Sequence, residues 1–439
     1  MRLRTISFPF LAFFIVGLII IDTSIVEIFV PDINERSSSI TLFIFILIVS
    51  LYTIGQFFIL RTVKHKIKEA MFPKQNQLII IHNAISIITY VMIAITAVIF
   101  IEMAMMSRYN IHLLQAVIMI SHLISIFLLG FLSWRFLLWF RSNRNLVVFI
   151  YALATIMLAT NLVFTLFYAS TVMGNKPAII TPLRDSIADF SSVDDLFISG
   201  LNLTNTLSFF TTWTATVLIL HHYSKKLGMM KYWLIVSIPV IYFLSQFQSL
   251  FLNIFDKFRV EQPFLFGVIF TLIFNSTNAS GGILFGIAFW SISKSVNRSA
   301  VKDYMVISAV GIMLLFSSIH SALAVDNAPY PPFGLGAVWF TVISSYLLLV
   351  GVYSSALSVA RDTELRRIIR KSVEGQSALL HSIGTSEMER EIQKKVMSVT
   401  NKLSLDTEEQ RDIRSSLEEK DIKQYIDEVI QEVKQKKEE

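Results

Sequence analysis

The sequence predicts an all-α fold: a polytopic membrane bundle of about ten transmembrane helices, plus a cytoplasmic helical tail. Three observations carry this expectation. Of 439 residues, 54% are hydrophobic and only 16% charged, whereas a soluble domain carries roughly 25% charge. The charge is also unevenly placed. Residues 361–439 hold 16 Lys+Arg and 18 Asp+Glu, leaving 22 basic and 14 acidic side chains for the first 360. Finally, ten mostly apolar runs of 19 residues or more fill that first part, and about 20 such residues cross a bilayer as a helix. Two regions are therefore expected, a transmembrane bundle over 1–360 and an amphipathic helical tail over 361–439.

The first run, 7–30, contains Asp22 and Glu27. A charge at helix centre costs about 2.5–3.5 kcal/mol, but sixteen Leu, Ile, Val and Phe residues contribute roughly 5–10 kcal/mol the other way. It exceeds a signal-peptide core and lacks an Ala-x-Ala-type cleavage site, so an uncleaved helix is expected. The runs 39–60, 77–101, 112–138, 146–170 and 203–221 follow, none with the alternation of a barrel strand. The seventh, 232–255, contains Pro239. The eighth, 263–292, is interrupted by Asn275-Ser276-Thr277-Asn278-Ala279-Ser280-Gly281-Gly282. The ninth and tenth are 304–325 and 335–359, joined by Tyr330-Pro331-Pro332-Phe333-Gly334, where the prolines fix an extended approach and Gly334 permits the reversal.

Orientation follows from Lys and Arg in the short loops. With the N-terminus inside, the inner side carries 16 of them and the outer side 6. Every inner loop between spans has at least three, and no outer loop has more than two. Both termini are expected in the cytoplasm of a multi-pass protein of the cell membrane. Trp134, Trp139, Trp233 and Trp290 fall at the inner boundary, where an indole belt is expected.

Several polar residues lie within the spans. Asp22, His122, Asn161, Gln248 and His320 occupy middle-to-outer depths and are candidates for one ligand or ion path. The alternative for the histidines and amides is interhelical hydrogen bonding. In the eighth span, Asn275 and Asn278 are further candidates if the helix breaks there, as helices do at transporter binding sites. The alternative is a close-packing face of small residues, Ser276, Ala279, Ser280 and Gly282. No matching interruption occurs in the third span, which an inverted repeat would require.

The tail opens with Arg361, Arg366, Arg367, Arg370 and Lys371, which can anchor topology or meet anionic headgroups. Gly384 is expected to end that helix. A second helix would start at Ser386, with Glu389 completing a capping box, and carry Ile392, Val396, Val399 and Leu403 on one face. A third would start at Ser416 with Glu419, and carry Ile422, Tyr425, Ile426, Val429 and Val433. Such stripes need a covering: each other, the membrane surface, a second copy or a cytoplasmic protein partner reached through residues 386–439. His381 is not expected to be a histidine-kinase phosphoacceptor, since Ser382 follows it where an acidic residue would stand.

The absence of cysteine removes thiolate metal sites, disulfides and cysteine nucleophiles. No Walker loop, dinucleotide fingerprint, His-Glu-x-x-His or Gly-x-Ser-x-Gly occurs. No enzyme activity, metal or cofactor is expected. The net charge of +6 reflects span-end basic residues rather than a nucleic-acid surface, so the expected partner is the lipid bilayer.

The stretch SSIHSALAVDNAPYPPFGLGAVWF, with SSYLLLVGVYSSALSVARD after it, resembles multispanning membrane proteins of ammonia-oxidising archaea. They too combine a Tyr-Pro-Pro-Phe-Gly turn, a final span and an acidic helical tail. The resemblance covers about 317–439 and implies an archaeal cytoplasmic membrane, with no activity attached. Two functions follow as expectations. The first is a non-enzymatic membrane sensor or adaptor that couples the bundle to the tail. The second is a secondary transporter of an ion or small solute, built on a broken eighth helix.

Overall fold

A computed structural model describes residues 3–29, 38–69, 75–181, 195–221, 224, 228–245, 256–296, 299–325, 329–371 and 378–410. The helices are α1 (Leu3–Phe29), α2 (Ser38–Glu69), α3 (Gln75–Met106), α4 (Ile111–Ser142), α5 (Leu146–Gly174), α6 (Asp195–Leu220) and α7 (Met229–Leu244). They continue with α8 (Asp256–Glu261), α9 (Pro263–Ser295), α10 (Ser299–Ser318), α11 (Ser321–Val325), α12 (Leu335–Arg361), α13 (Thr363–Lys371) and α14 (Ala378–Gln410). The fold is an all-α polytopic helix bundle. Among the described residues, nine helices are long and apolar enough to cross a membrane. The seventh expected span, 232–255, appears as α7, 16 residues long; the rest of that run, 246–255, lies outside the described residues, as does Gln248.

The apolar runs become helices because burial and hydrogen-bond closure agree along them: beyond the first turn, backbone amides find their partners within their own segment. Asparagine side chains set two starts. Asn110 accepts from the His112 amide and Asn145 from the Val147 amide, so α4 and α5 begin on capped ends. Pro263 occupies the first turn of α9, where its missing N–H costs nothing. One element was not foreseen. Strands β1 (Tyr109–Asn110) and β2 (Ile179–Ile180) pair antiparallel, tying the α3–α4 and α5–α6 connections together.

The axis of the bundle is α12, in which every residue from Leu335 to Ala360 is buried. It packs on α10 and α4, with α1, α2, α3 and α11 around it. The α10 crossing is close because it is made by glycines: a first side-chain carbon at Gly311 would lie 2.6 Å from the Leu348 amide nitrogen. At the tail-side end, Lys66 of α2 pairs with Asp303 of α10 at 2.9 Å, and the Tyr304 hydroxyl donates to the Lys66 carbonyl. Gly334 precedes α12 at φ +87°, the left-handed reversal its position in the sequence predicts.

The eighth span does not break. Helix α9 runs unbroken through 275–282. The hydroxyls of Ser276, Thr277 and Ser280 donate to carbonyls three or four residues back in the same helix, so no freed amide needs them. The glycines serve approach. A first side-chain carbon at Gly282 would lie 2.9 Å from the Met313 carbonyl oxygen, and one at Gly286 3.0 Å from that of Ala309. The small residues thus let α10 lie against α9.

The tail also departs from expectation. Gly384 does not end a helix, and Ser386 does not cap one; both lie inside α14. Gly384 sits against Val359 of α12, where a larger residue would collide. Leu379, Leu380 and Ile383 are buried with it, and α14 contacts α12, α4, α5 and α13. Packing against four helices outweighs the roughly 1 kcal/mol that a glycine costs inside a helix. The proposed third helix, from Ser416 onward, lies outside the described residues.

Candidate functional site

Each end of α12 carries a buried carboxylate, Asp22 at one and Glu387 at the other. At the end remote from the tail, Asp22 of α1 is buried and its Oδ1 accepts from the Gly334 backbone N–H at 3.0 Å. A carboxylate there faces the positive end of the α12 dipole. Position 22 reaches that end because α1 packs beside α12 and the reversal at Gly334 turns its amide towards α1. The Tyr52 side chain of α2 lies beside the same carboxylate, with its ring against Gly336. One turn on, Gln56 is fully buried, as is Trp339 on α12. Both Gln56 amide atoms and Trp339 Nε1 complete no hydrogen bond among the described residues, while the Tyr52 hydroxyl and the Asp22 carboxylate face each other. Buried polar atoms in that condition are rare, and they mark where water or a ligand is held.

Of these, only Asp22 was singled out from the sequence. Tyr52, Gln56 and Trp339 were missed, although a glutamine in the middle of an apolar run is itself a signal. His82 was missed for the same reason; its Nδ1 lies 2.9 Å from the Tyr346 hydroxyl, joining α3 to α12. The other candidates divide. His122 is buried with Nδ1 on the Ile118 carbonyl of its own helix, and its Nε2 is unpaired. His320 lies between α10 and α11, half-buried, with its Nε2 enclosed and unpaired. Asn161 donates to the Leu201 carbonyl and to Thr204, joining α5 to α6. Asn275 donates to Ser24 at 3.2 Å, joining α9 to α1. Asn278 Oδ1 is buried and unpaired. Asn161 and Asn275 thus act as interhelical ties, and among the described candidates Asp22 is the one that bonds the residue preceding α12.

Beyond this end, the Tyr109 hydroxyl donates to the Pro329 carbonyl at 2.9 Å, and its ring stacks on Tyr330. Burial raises the Tyr109 phenol well above its usual range, and Tyr330 adds to the shift. Burial also raises Tyr330. The turn leading into α12 is therefore fastened to the β1 connection by neutral phenols.

At the tail-side end the groups are acidic. Trp139 of α4 is not part of an indole belt; it is buried, and its Nε1 donates to Glu387 of α14 at 3.1 Å. Ser386 donates to the Trp139 carbonyl, and Ser142 donates to Glu389. Arg361, the last residue of α12, pairs with Glu391 at 3.2 Å. Arg366 donates to the carbonyls of Val359 and Ala360, closing the C-terminus of α12. Arg367 is exposed. The side chains of Arg370 and Lys371 lie outside the described ones. Past Glu391, α14 leaves the bundle with Ile392, Val396 and Val399 exposed.

Comparisons with protein-family models, curated proteins and solved structures found no match for this chain.

Proposed function

We propose that the chain is a non-enzymatic membrane sensor or adaptor, in which α12 joins the Asp22 site at one end of the bundle to the tail helix at the other. The supporting observation is the seat of α14. Its first turns are buried against α12 and α4, and Glu387 is held by Trp139. A rigid-body shift of α12 is therefore felt by α14, and through it by the apolar stripe from Ile392 to Val399. The charge bias of the loops supports a cytoplasmic placement for that stripe, where a protein partner or a second copy can cover it. The transporter reading loses its main support with the continuous α9, and retains the unpaired polar atoms near Asp22.

The test is recovery of partners from native membranes in mild detergent. Full-length protein is compared with a chain ending at Glu391, which keeps the seated turns and removes the stripe. A protein recovered only with the full-length chain is expected. Equal recovery from both, with no change in self-association, would contradict the adaptor reading and leave solute flux in proteoliposomes as the next assay.

A further inference from the structure

A cavity of about 380 Å³ opens between the tail-side ends of α6, α7 and α9. Its wall is mostly apolar, with Leu220, Val236, Leu284 and Ile287 prominent. The hydroxyls beside it are already used: Tyr232 donates to the Val217 carbonyl at 2.8 Å, and Ser291 to that of Ala288 at 2.8 Å. What the rim offers a ligand is the ammonium of Lys294, held 4.6 Å from the centre of the Trp290 ring. Ile235 and Ile287 stand half-exposed on the bundle surface, so the slot opens sideways. The neighbouring sequence is basic as well, with Lys231 opening α7 and Lys225 and Lys226 in the α6–α7 connection.

We propose that this groove binds one anionic phospholipid of the tail-side leaflet, with an acyl chain in the slot and the phosphate on Lys294. The slot is an apolar cavity of ligand size. Hydroxyls satisfied within the protein ask nothing of a polar ligand body. Lys294, the cation among the described lining residues, sits where a headgroup would be, and basic pockets between membrane helices on the cytoplasmic side hold such headgroups. The sideways opening lets the lipid enter from the bilayer without leaving it.

The test uses full-length protein in vesicles of equal phosphatidylglycerol and phosphatidylcholine, extracted in mild detergent and weighed by native mass spectrometry. One retained lipid per chain is expected, with phosphatidylglycerol preferred about fivefold or more. Lys294→Gln, at an exposed position, is expected to keep a lipid and lose most of that preference. Ile287→Trp, which fills the slot, is expected to lose the lipid; if it fails to fold, Ile235→Trp reads the same slot from α7. Equal retention of the two lipids, or an unchanged preference in Lys294→Gln, would overturn the proposal. Displacement of the phospholipid by oleate, mole for mole, would assign the groove to free fatty acids and overturn it equally.

Discussion

Glu387 of the tail helix accepts a hydrogen bond from the indole nitrogen of Trp139, 3.1 Å away, and both side chains are buried. A glutamate rarely accepts burial, and here three neighbouring contacts share the load: Ser386 on the Trp139 carbonyl, Ser142 on Glu389, and Arg361 on Glu391. The tail therefore begins inside the bundle. Glu387→Ala removes the acceptor and leaves the indole N–H unpaired, a cost of about 1–3 kcal/mol. The expected outcome is faster cleavage by a protease within 378–391 and a red shift of Trp139 emission, read in chains where the other tryptophans are phenylalanine.

Asp22 is tied to Gly334, and Gly334 to the start of α12. Asp22→Ala should lower stability by about 0.5–2 kcal/mol, the range for losing a helix N-terminal acceptor. Asp22→Asn keeps an oxygen on the same amide and should lose less. Gly334→Ala is strained at φ +87° and should cost about 1 kcal/mol. Thermal unfolding in detergent orders the three; equal losses for Asp22→Ala and Asp22→Asn would detach the carboxylate from α12.

The continuous α9 makes an opposed pair of forecasts. Gly282→Val meets the Met313 carbonyl and should destabilise by roughly 1–3 kcal/mol, the cost of overpacking. Asn278→Ala touches no closure of the helix and should shift stability by under about 1 kcal/mol. Differential scanning fluorimetry separates them. A larger effect at Asn278 than at Gly282 would restore an ion or solute site to this helix.

Tyr109 gives the pH dependence. Its phenol is raised by burial, so the folded chain keeps a proton that the unfolded chain releases above about pH 10. Stability from this group is complete below that pH and falls as pH rises through it. Tyr109→Phe removes the bond to the Pro329 carbonyl, costs about 1 kcal/mol, and should flatten the decline between pH 10 and 11. An identical decline in the variant would place the alkaline sensitivity elsewhere.

The spans and the reversal at Gly334 were legible because hydrophobic length and a lone glycine each have one physical meaning there. The segment 275–282 was not. Small and hydroxylated residues suit a broken helix and a close crossing equally, and only the partner's identity, the α10 backbone at Ala309 and Met313, decides. Gly384 misled in the same way: a glycine stops an isolated helix, but against Val359 it is the residue that fits. Ser386 and Glu389 have capping-box spacing, yet their partners come from α4, far away in sequence. Asp22 was legible as an unusual charge, whereas its partner, a backbone amide 312 residues away, was not.

The central claim is that α12 carries a change at Asp22 to the tail. The chain has no cysteine, so two spin labels can be placed cleanly at exposed sites, Arg144→Cys and Ser398→Cys. Distances between them are measured in nanodiscs by double electron–electron resonance, with and without Asp22→Ala. A shifted or broadened distribution in the Asp22→Ala chain is the predicted result. A distribution identical to that of the parent, in protein shown to have lost stability at Asp22, would contradict the coupling.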